Sequence, residues 1–282
     1  AITIPNTITS IGSYTFSESG LVSIEIPDSV TSIGYSAFSD CAKLTSVKIA
    51  DSVTEINAYA FYGCAKLNDV KMSNSLTKIG YRAFCNCTSL TYIWLPKTLN
   101  SVIINVTDGV FPGCTALQKV ELEEGMTAIP SYLFYGCPIS AITIPNTVTS
   151  IGSYTFSESG LVSIEIPDSV TSIGYNAFSN CAKLTSVKIP DSVTEINAYA
   201  FYGCAKLNDV KMSNSLTKIG YRAFCNCTSL TYIWLPKTLN SVIINVTDGV
   251  FPGCTALQKV ELEEGMTAIP SYLFYGCPIS AI

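Results

Sequence analysis

Residues 44–66 read LTSVKIADSVTEINAYAFYGCAK, and nearly the same wording returns at 21–43 and 67–89. A fixed period near 23 residues is the mark of a solenoid, whose units are too small to bury their own apolar side chains and gain a core only by stacking. Val47 and Ile49 alternate with Ser46 and Lys48, so period-two patterning predicts a short strand with the aliphatic pair inward. Asp51-Ser52 supplies a turn, and Val53-x-x-Ile56 predicts a second extended piece. Ala60-Phe61-x-x-Cys64 predicts one helical turn with Phe61 and Cys64 on one face. Gly12, Gly34, Asn57 and Gly80 follow the second extended piece in four units, a pattern that suggests a left-handed residue there. Pro130 occupies the same place with its φ held near −65°, so the turn of that unit is expected to start differently.

The repeat extends across all 282 residues and carries a larger copy on top of it. Residues 1–140 and 141–280 differ only at Ile8/Val148, Ser36/Asn176, Asp40/Asn180 and Ala50/Pro190. Unit lengths within one copy run 23, 23, 23, 27, 22 and 22, and the long unit carries its four-residue insertion within Ile103–Gly109. The expectation is one continuous solenoid over 1–282, of about twelve repeats, built from two near-identical segments.

Two stretches, LTSVKIPDSVTEINAYAFYGCAKL at 184–207 and LVSIEIPDSVTSIGYNAFSNCAKL at 161–184, resemble the BspA-type leucine-rich repeats. The resemblance covers the whole chain, with Ser19 and Ser159 as local departures where other units have Cys. It implies a right-handed, curved leucine-rich-repeat solenoid with a concave parallel β-sheet, short extended segments and helical turns on the convex side. It also implies an extracellular or cell-surface protein of bacteria or parasitic protists, linked to adhesion and host-protein binding.

Composition narrows the chemistry. Net charge is −5, and no basic footprint of a nucleic-acid binder is present. Mean hydropathy is +0.36, yet no apolar run approaches the roughly 18 residues of a membrane helix, so no membrane insertion is expected of this segment. Ten of the twelve cysteines (Cys41, Cys64, Cys87, Cys114, Cys137 and their second-copy counterparts) recur at one repeat position, which reads as a ladder of small buried thiols and not as a disulfide framework. Cys85 and Cys225 lie off that ladder as free thiols. The chain has no histidine, which removes the commonest general base and metal ligand. Glu121, Glu123 and Glu124 form the densest acidic cluster, read as a solvated edge with a cross-repeat ion pair toward the unit of Lys97. No metal site, no cofactor and no enzymatic activity are expected. The sequons at Asn86, Asn105, Asn226 and Asn245 matter only in a eukaryotic secretory pathway.

The outward strand positions form columns of mostly small or charged residues, in which Glu25 neighbours Lys48. Tyr92 and Trp94 interrupt them, two apart on one face, with Lys71, Lys119 and Glu121 on the adjoining strands. Surface aromatics among charges are what binding hot spots use; the alternative is that they cover the sheet and pack on lysine stems. The duplication repeats the set as Tyr232, Trp234, Lys211, Lys259 and Glu261. The leading expectation is a non-enzymatic binding or adhesion module that recognises a host or matrix protein or a glycan. The alternative is a structural spacer or self-assembling rod. Neither end carries a polar cap, and Ile279–Ile282 opens a unit that Thr3-Ile4-Pro5 could continue, so end-to-end self-association is expected.

Overall fold

The computed structural model describes residues 2–103, 108–243, 248–277 and 279. The core of the insertion in each copy, with the sequons at Asn105 and Asn245, lies outside the described residues, as do Ala1 and 280–282 at the ends where self-association was expected. The chain forms two compact units, Ala1–Met126 with Tyr132–Pro145, and Thr127–Ser131 with Asn146–Ile282.

Each unit is a parallel β-solenoid. The strands of the first are β1 (Ser10–Ile11), β2 (Ser23–Ile26), β3 (Ser32–Ile33), β4 (Ser46–Ile49), β5 (Glu55–Ile56), β6 (Asp69–Lys71), β7 (Lys78–Gly80), β8 (Tyr92–Leu95), β9 (Ser101–Ile103) and β10 (Lys119–Leu122). Those of the second are β11 (Ala128–Ile129), β12 (Ser150–Ile151), β13 (Ser163–Glu165), β14 (Ser172–Ile173), β15 (Ser186–Lys188), β16 (Glu195–Ile196), β17 (Asp209–Lys211), β18 (Lys218–Gly220), β19 (Tyr232–Leu235), β20 (Ser241–Ile243) and β21 (Lys259–Leu262). Both extended pieces read from the sequence are therefore strands. The longer ones make a front ladder, β2-β4-β6 and then β8-β10 in the first unit, β13-β15-β17 and then β19-β21 in the second. The shorter ones make a second ladder, β1-β3-β5-β7-β9 and β11-β12-β14-β16-β18-β20. Register follows the repeat, with Val47 beside Ile24 and Val70, and Glu25 beside Lys48, with which it forms an ion pair.

One substitution between the copies reads directly in the ladder. Pro190 replaces Ala50 and has no N–H to give a neighbouring strand. Consistent with that loss, β13 and β15 each stop one residue short of β2 and β4.

The helical turn expected at Ala60–Cys64 is not formed, and no helix occurs among the described residues. A helix sends every amide to the carbonyl four residues back. Here the amides alternate. Tyr59, Phe61 and Gly63 donate to the carbonyls of Tyr81, Ala83 and Cys85 in the next repeat, at 3.2, 2.8 and 2.9 Å. Ala60, Tyr62 and Cys64 donate three residues back, to Asn57, Tyr59 and Phe61. The back of each repeat is thus a run of tight turns stitched to its neighbour. Left-handed residues make this possible, but not at the position read from the sequence. They lie two and six residues further on, as Tyr59 (φ 59°) and Gly63 (φ 68°) in this repeat, and as Ser36 and Asp40 in the one before. The second copy places Asn at the latter two, Asn176 and Asn180, a residue at ease in this region. Gly34 answers a different need: a Cβ there would fall 2.6 Å from the Gly12 carbonyl carbon of the repeat below.

Inside, each repeat contributes one phenylalanine to a continuous column within its unit. Phe38, Phe61 and Phe84 are wholly buried and stack nearly parallel with ring centroids 5.1 Å apart. The spacing opens to 5.8 and 6.1 Å around Phe111, in the repeat that carries the insertion. Phe61 stacks on a ring at both faces, and removing it leaves a cavity that no flanking rung can fill. Phe61→Ala is expected to cost about 3–5 kcal/mol, read as a lowered midpoint in a denaturant melt.

Candidate functional site

The outward register of Tyr92 and Trp94 follows from the alternation along β8, where Ile93 and Leu95 are wholly buried. Ladder pairing sets Lys119 beside Tyr92 and Glu121 beside Trp94. The side chains then sort into two groups. The Tyr92 hydroxyl donates to Glu121 Oε2 at 3.2 Å, Lys119 Nζ donates to the same oxygen at 3.1 Å, and Lys119 Nζ stands 5.4 Å from the Tyr92 ring centroid. Lys119 and Tyr92 hold the Glu121 carboxyl below its ordinary range, and burial together with Glu121 raises the Tyr92 phenol. The second copy repeats this as Tyr232, Lys259 and Glu261 at 3.2, 3.0 and 5.4 Å. Three of the expected contact residues in each copy are thereby committed to one another. Trp94 and Trp234 are half-buried, and their indole N–H groups have no acceptor among the described residues.

Lys71 and Lys211 stand differently from the expected column. Strand β8 pairs onward with β10 and β19 with β21; β6 does not pair with β8, nor β17 with β19. The front ladder is interrupted just where the aromatic strand begins. In the second unit the interruption opens a cavity of about 370 Å³ lined by Asn208, Asp209, Val210, Lys211, Met212, Asn214, Tyr232 and Trp234. Lys211, Tyr232 and Trp234 were legible as a group in the sequence. The outward column also set Asp209 beside Tyr232; Asn208 and Asn214 were not legible, because nothing in the period announces that two strands one repeat apart fail to pair.

A tyrosine stripe on the back also escaped the sequence reading. Tyr14, Tyr35, Tyr59 and Tyr81 run with ring centroids 5.5, 5.4 and 5.3 Å apart, and the Arg82 guanidinium lies 5.8 Å from the Tyr59 ring centroid while pairing with Asp108 at 2.7 Å. The signal was present: tyrosine alternates between two adjacent repeat positions, which lets consecutive rings meet at an angle.

The acidic cluster resolves into a cross-repeat contact. Glu123 accepts from the Lys97 backbone amide at 2.9 Å and pairs with Lys97 Nζ at 3.1 Å, which together lower its carboxyl pKa. Among the described residues no group of three His, Cys, Asp or Glu side chains could hold a metal ion. The cysteine ladder is buried except for the half-buried Cys277, and its position has a polar reason beyond size. Most of these thiols donate to the carbonyl of the phenylalanine one repeat back: Cys64 to Phe38 at 3.1 Å, Cys87 to Phe61 at 3.2 Å, Cys114 to Phe84 at 3.0 Å. Serine supplies the same O–H chemistry, and Ser19 Oγ lies 3.3 Å from Cys41 Sγ.

The model of the BspA type leucine rich repeat region matches residues 1–103, 98–181 and 238–282 of the chain, in six copies. Among solved structures, a leucine rich cell surface protein from Faecalibacterium prausnitzii A2-165 is similar at 29% identity and a TM-score of 0.50, over 97% of this chain and 83% of that one. The pneumococcal vaccine antigen PcpA is similar in fold at 20% identity and a TM-score of 0.54, over 93% of this chain and 76% of that one. A leucine-rich repeat protein from Bacteroides ovatus ATCC 8483 is 27% identical over 91% of this chain and 85% of that one, at a TM-score of 0.41. No curated protein matches the chain.

Burial pushes the Cys85 and Cys225 thiols up to about 11. Only about one in a thousand of each is then thiolate at pH 8, and the thiolate is the nucleophile. In native protein an aromatic disulfide reagent at pH 8 is expected to titrate these thiols far more slowly than free cysteine, and all twelve only after denaturation; rapid native labelling of Cys85 or Cys225 would contradict the burial described.

Proposed function

The chain belongs to the BspA-type leucine-rich repeat family, and on that premise we propose that it is a non-enzymatic binding or adhesion module of a cell-surface or secreted protein, engaging a partner through the front face of the solenoid. The family and the similarity to a bacterial cell surface protein support the class of function. The contact residues rest on one observation. On a face of small and charged side chains, each copy presents Tyr and Trp two residues apart, and the indole is left without a hydrogen-bond partner among the described residues. An aromatic set in this way adds large contact area at little conformational cost.

In this reading Tyr92, Trp94, Tyr232 and Trp234 form the centre of contact. Lys71, Lys119, Glu121, Lys211, Lys259 and Glu261 form the charged surround. The partner is a host or matrix protein or a glycan. An array of matrix proteins and glycans probed with the wild-type chain is expected to give captured features that vanish when all four aromatics are changed to Ala, with the melt nearly unchanged. Capture that survives the quadruple change would move the contact away from this face.

A second reading, a self-assembling rod, is favoured by the apolar side chains left open at the outer repeats. Ile2 and Ile8 are 45% and 40% exposed in the first unit, and Ile269 and Tyr275 are 53% and 57% exposed in the second. Light scattering coupled to size exclusion should show mass rising with concentration; a constant monomer mass over a wide concentration range would exclude the rod for this chain.

A further inference from the structure

We propose that the cavity between β17 and β19 is a binding site for an uncharged pyranose unit of a glycan, with Trp234 as its stacking platform. This rests on the binding-module reading and gives that module a ligand class.

The cavity mixes aromatic surface, from Trp234 and from Tyr232 whose hydroxyl is held by Glu261, with uncommitted polar groups. Trp234 and Tyr232 line it together with the largely buried Met212 and Val210. The Asn208, Asp209 and Lys211 side chains are exposed and have no polar partner among the described residues. Asn214 spends its amide N–H₂ on Asp191 at 3.0 Å, which leaves its carbonyl oxygen as an acceptor. A pyranose is the complement of this set. Its C–H face is apolar and electropositive and suits the electron-rich face of an indole. Its rim of hydroxyls both donates and accepts, as Asp209, Lys211 and Asn208 require. A volume of about 370 Å³ sits at the small end of the ~300–1,000 Å³ typical of small-molecule sites. That fits one or two sugar rings and not a folded partner.

Charge decides against an acidic sugar. The lining carries one acid and one base, Asp209 and Lys211, and the nearby Lys259 is paired with Glu261 at 3.0 Å, so no net positive charge faces the cavity. An anionic substituent would meet Asp209 as closely as Lys211. Strand β6 and Trp94 carry the same residues in the first copy, Asn68, Asp69, Lys71, Met72 and Asn74, beside the same unpaired strand junction.

The chain has two tryptophans, Trp94 and Trp234, so indole emission reports on these positions alone. The full chain carrying Trp94→Phe isolates Trp234. It is titrated with cellohexaose, mannohexaose and maltohexaose, and separately with a galacturonic acid hexamer and a heparin hexasaccharide. At least one neutral oligosaccharide is expected to shift Trp234 emission saturably, with the acidic pair silent. Adding Asp209→Ala should weaken that binding at least tenfold while leaving the melt unchanged, since the Asp209 side chain holds nothing in the fold. Silence with all three neutral oligosaccharides, a response to the acidic ones alone, or full affinity in the Asp209→Ala protein each overturns the assignment. Aromatic-dependent capture of a matrix protein with no oligosaccharide response would sink the sugar site and leave the module reading standing; loss of both would sink the two together.

Discussion

In the back segment of four of the six repeats of a copy, every second amide is given to the repeat that follows and not to its own turn. Tyr59, Phe61 and Gly63 have no acceptor inside their own repeat; their partners are Tyr81, Ala83 and Cys85. A buried amide left unpaired costs far more than a paired one gains. A single repeat therefore has no stable form, and the repeats fold as a stack. The same constraint excludes the helix that the Ala-Phe-x-x-Cys spacing suggests, because a helix would consume those amides locally.

The interior follows from this stitching. Rungs held at the ~4.8 Å spacing of a parallel ladder bring equivalent side chains into contact with their own kind. That is why Phe38, Phe61 and Phe84 stack face to face at 5.1 Å. The cysteine column solves a problem the phenylalanine column creates. The Phe61 carbonyl accepts the Cys64 amide at 3.3 Å and still has a lone pair, which the Cys87 thiol of the next repeat occupies at 3.2 Å. A small side chain able to donate suits that site, and Cys and Ser both qualify.

With the interior so fully specified, what differs between repeats is confined to the outside. The front face is mostly Ser, Thr, Lys, Glu and Asp, and its aromatic exception coincides with the junction where the front ladder breaks. The coincidence matters because a shallow recess beside an unpartnered indole is chemically different from an indole lying flat on a continuous sheet. The proposed contact rests on the outward Tyr-Trp pairs, the proposed sugar site on the recess, and the family supplies the class of function.

The period by itself determined the solenoid, both strands of most repeats (no front strand forms at 141–143), the inward aliphatic positions, the largely buried cysteine column and the outward Tyr-Trp pair. Those follow from spacing, since one side chain every 23 residues must meet its counterpart above and below. The sequence also brought Glu25 to Lys48 and the acidic cluster to Lys97, because register inherits the period. The turn conformation was decided only in three dimensions. Gly12, Gly34, Asn57 and Gly80 look like left-handed positions, yet the positive φ values fall two and six residues later, on Tyr59 and Gly63 among others. Local pattern cannot see that an amide has an acceptor in another repeat. The interruption between β17 and β19, and with it the company that Asn208 and Asn214 keep with Trp234, was likewise fixed by packing between repeats, which no one repeat encodes.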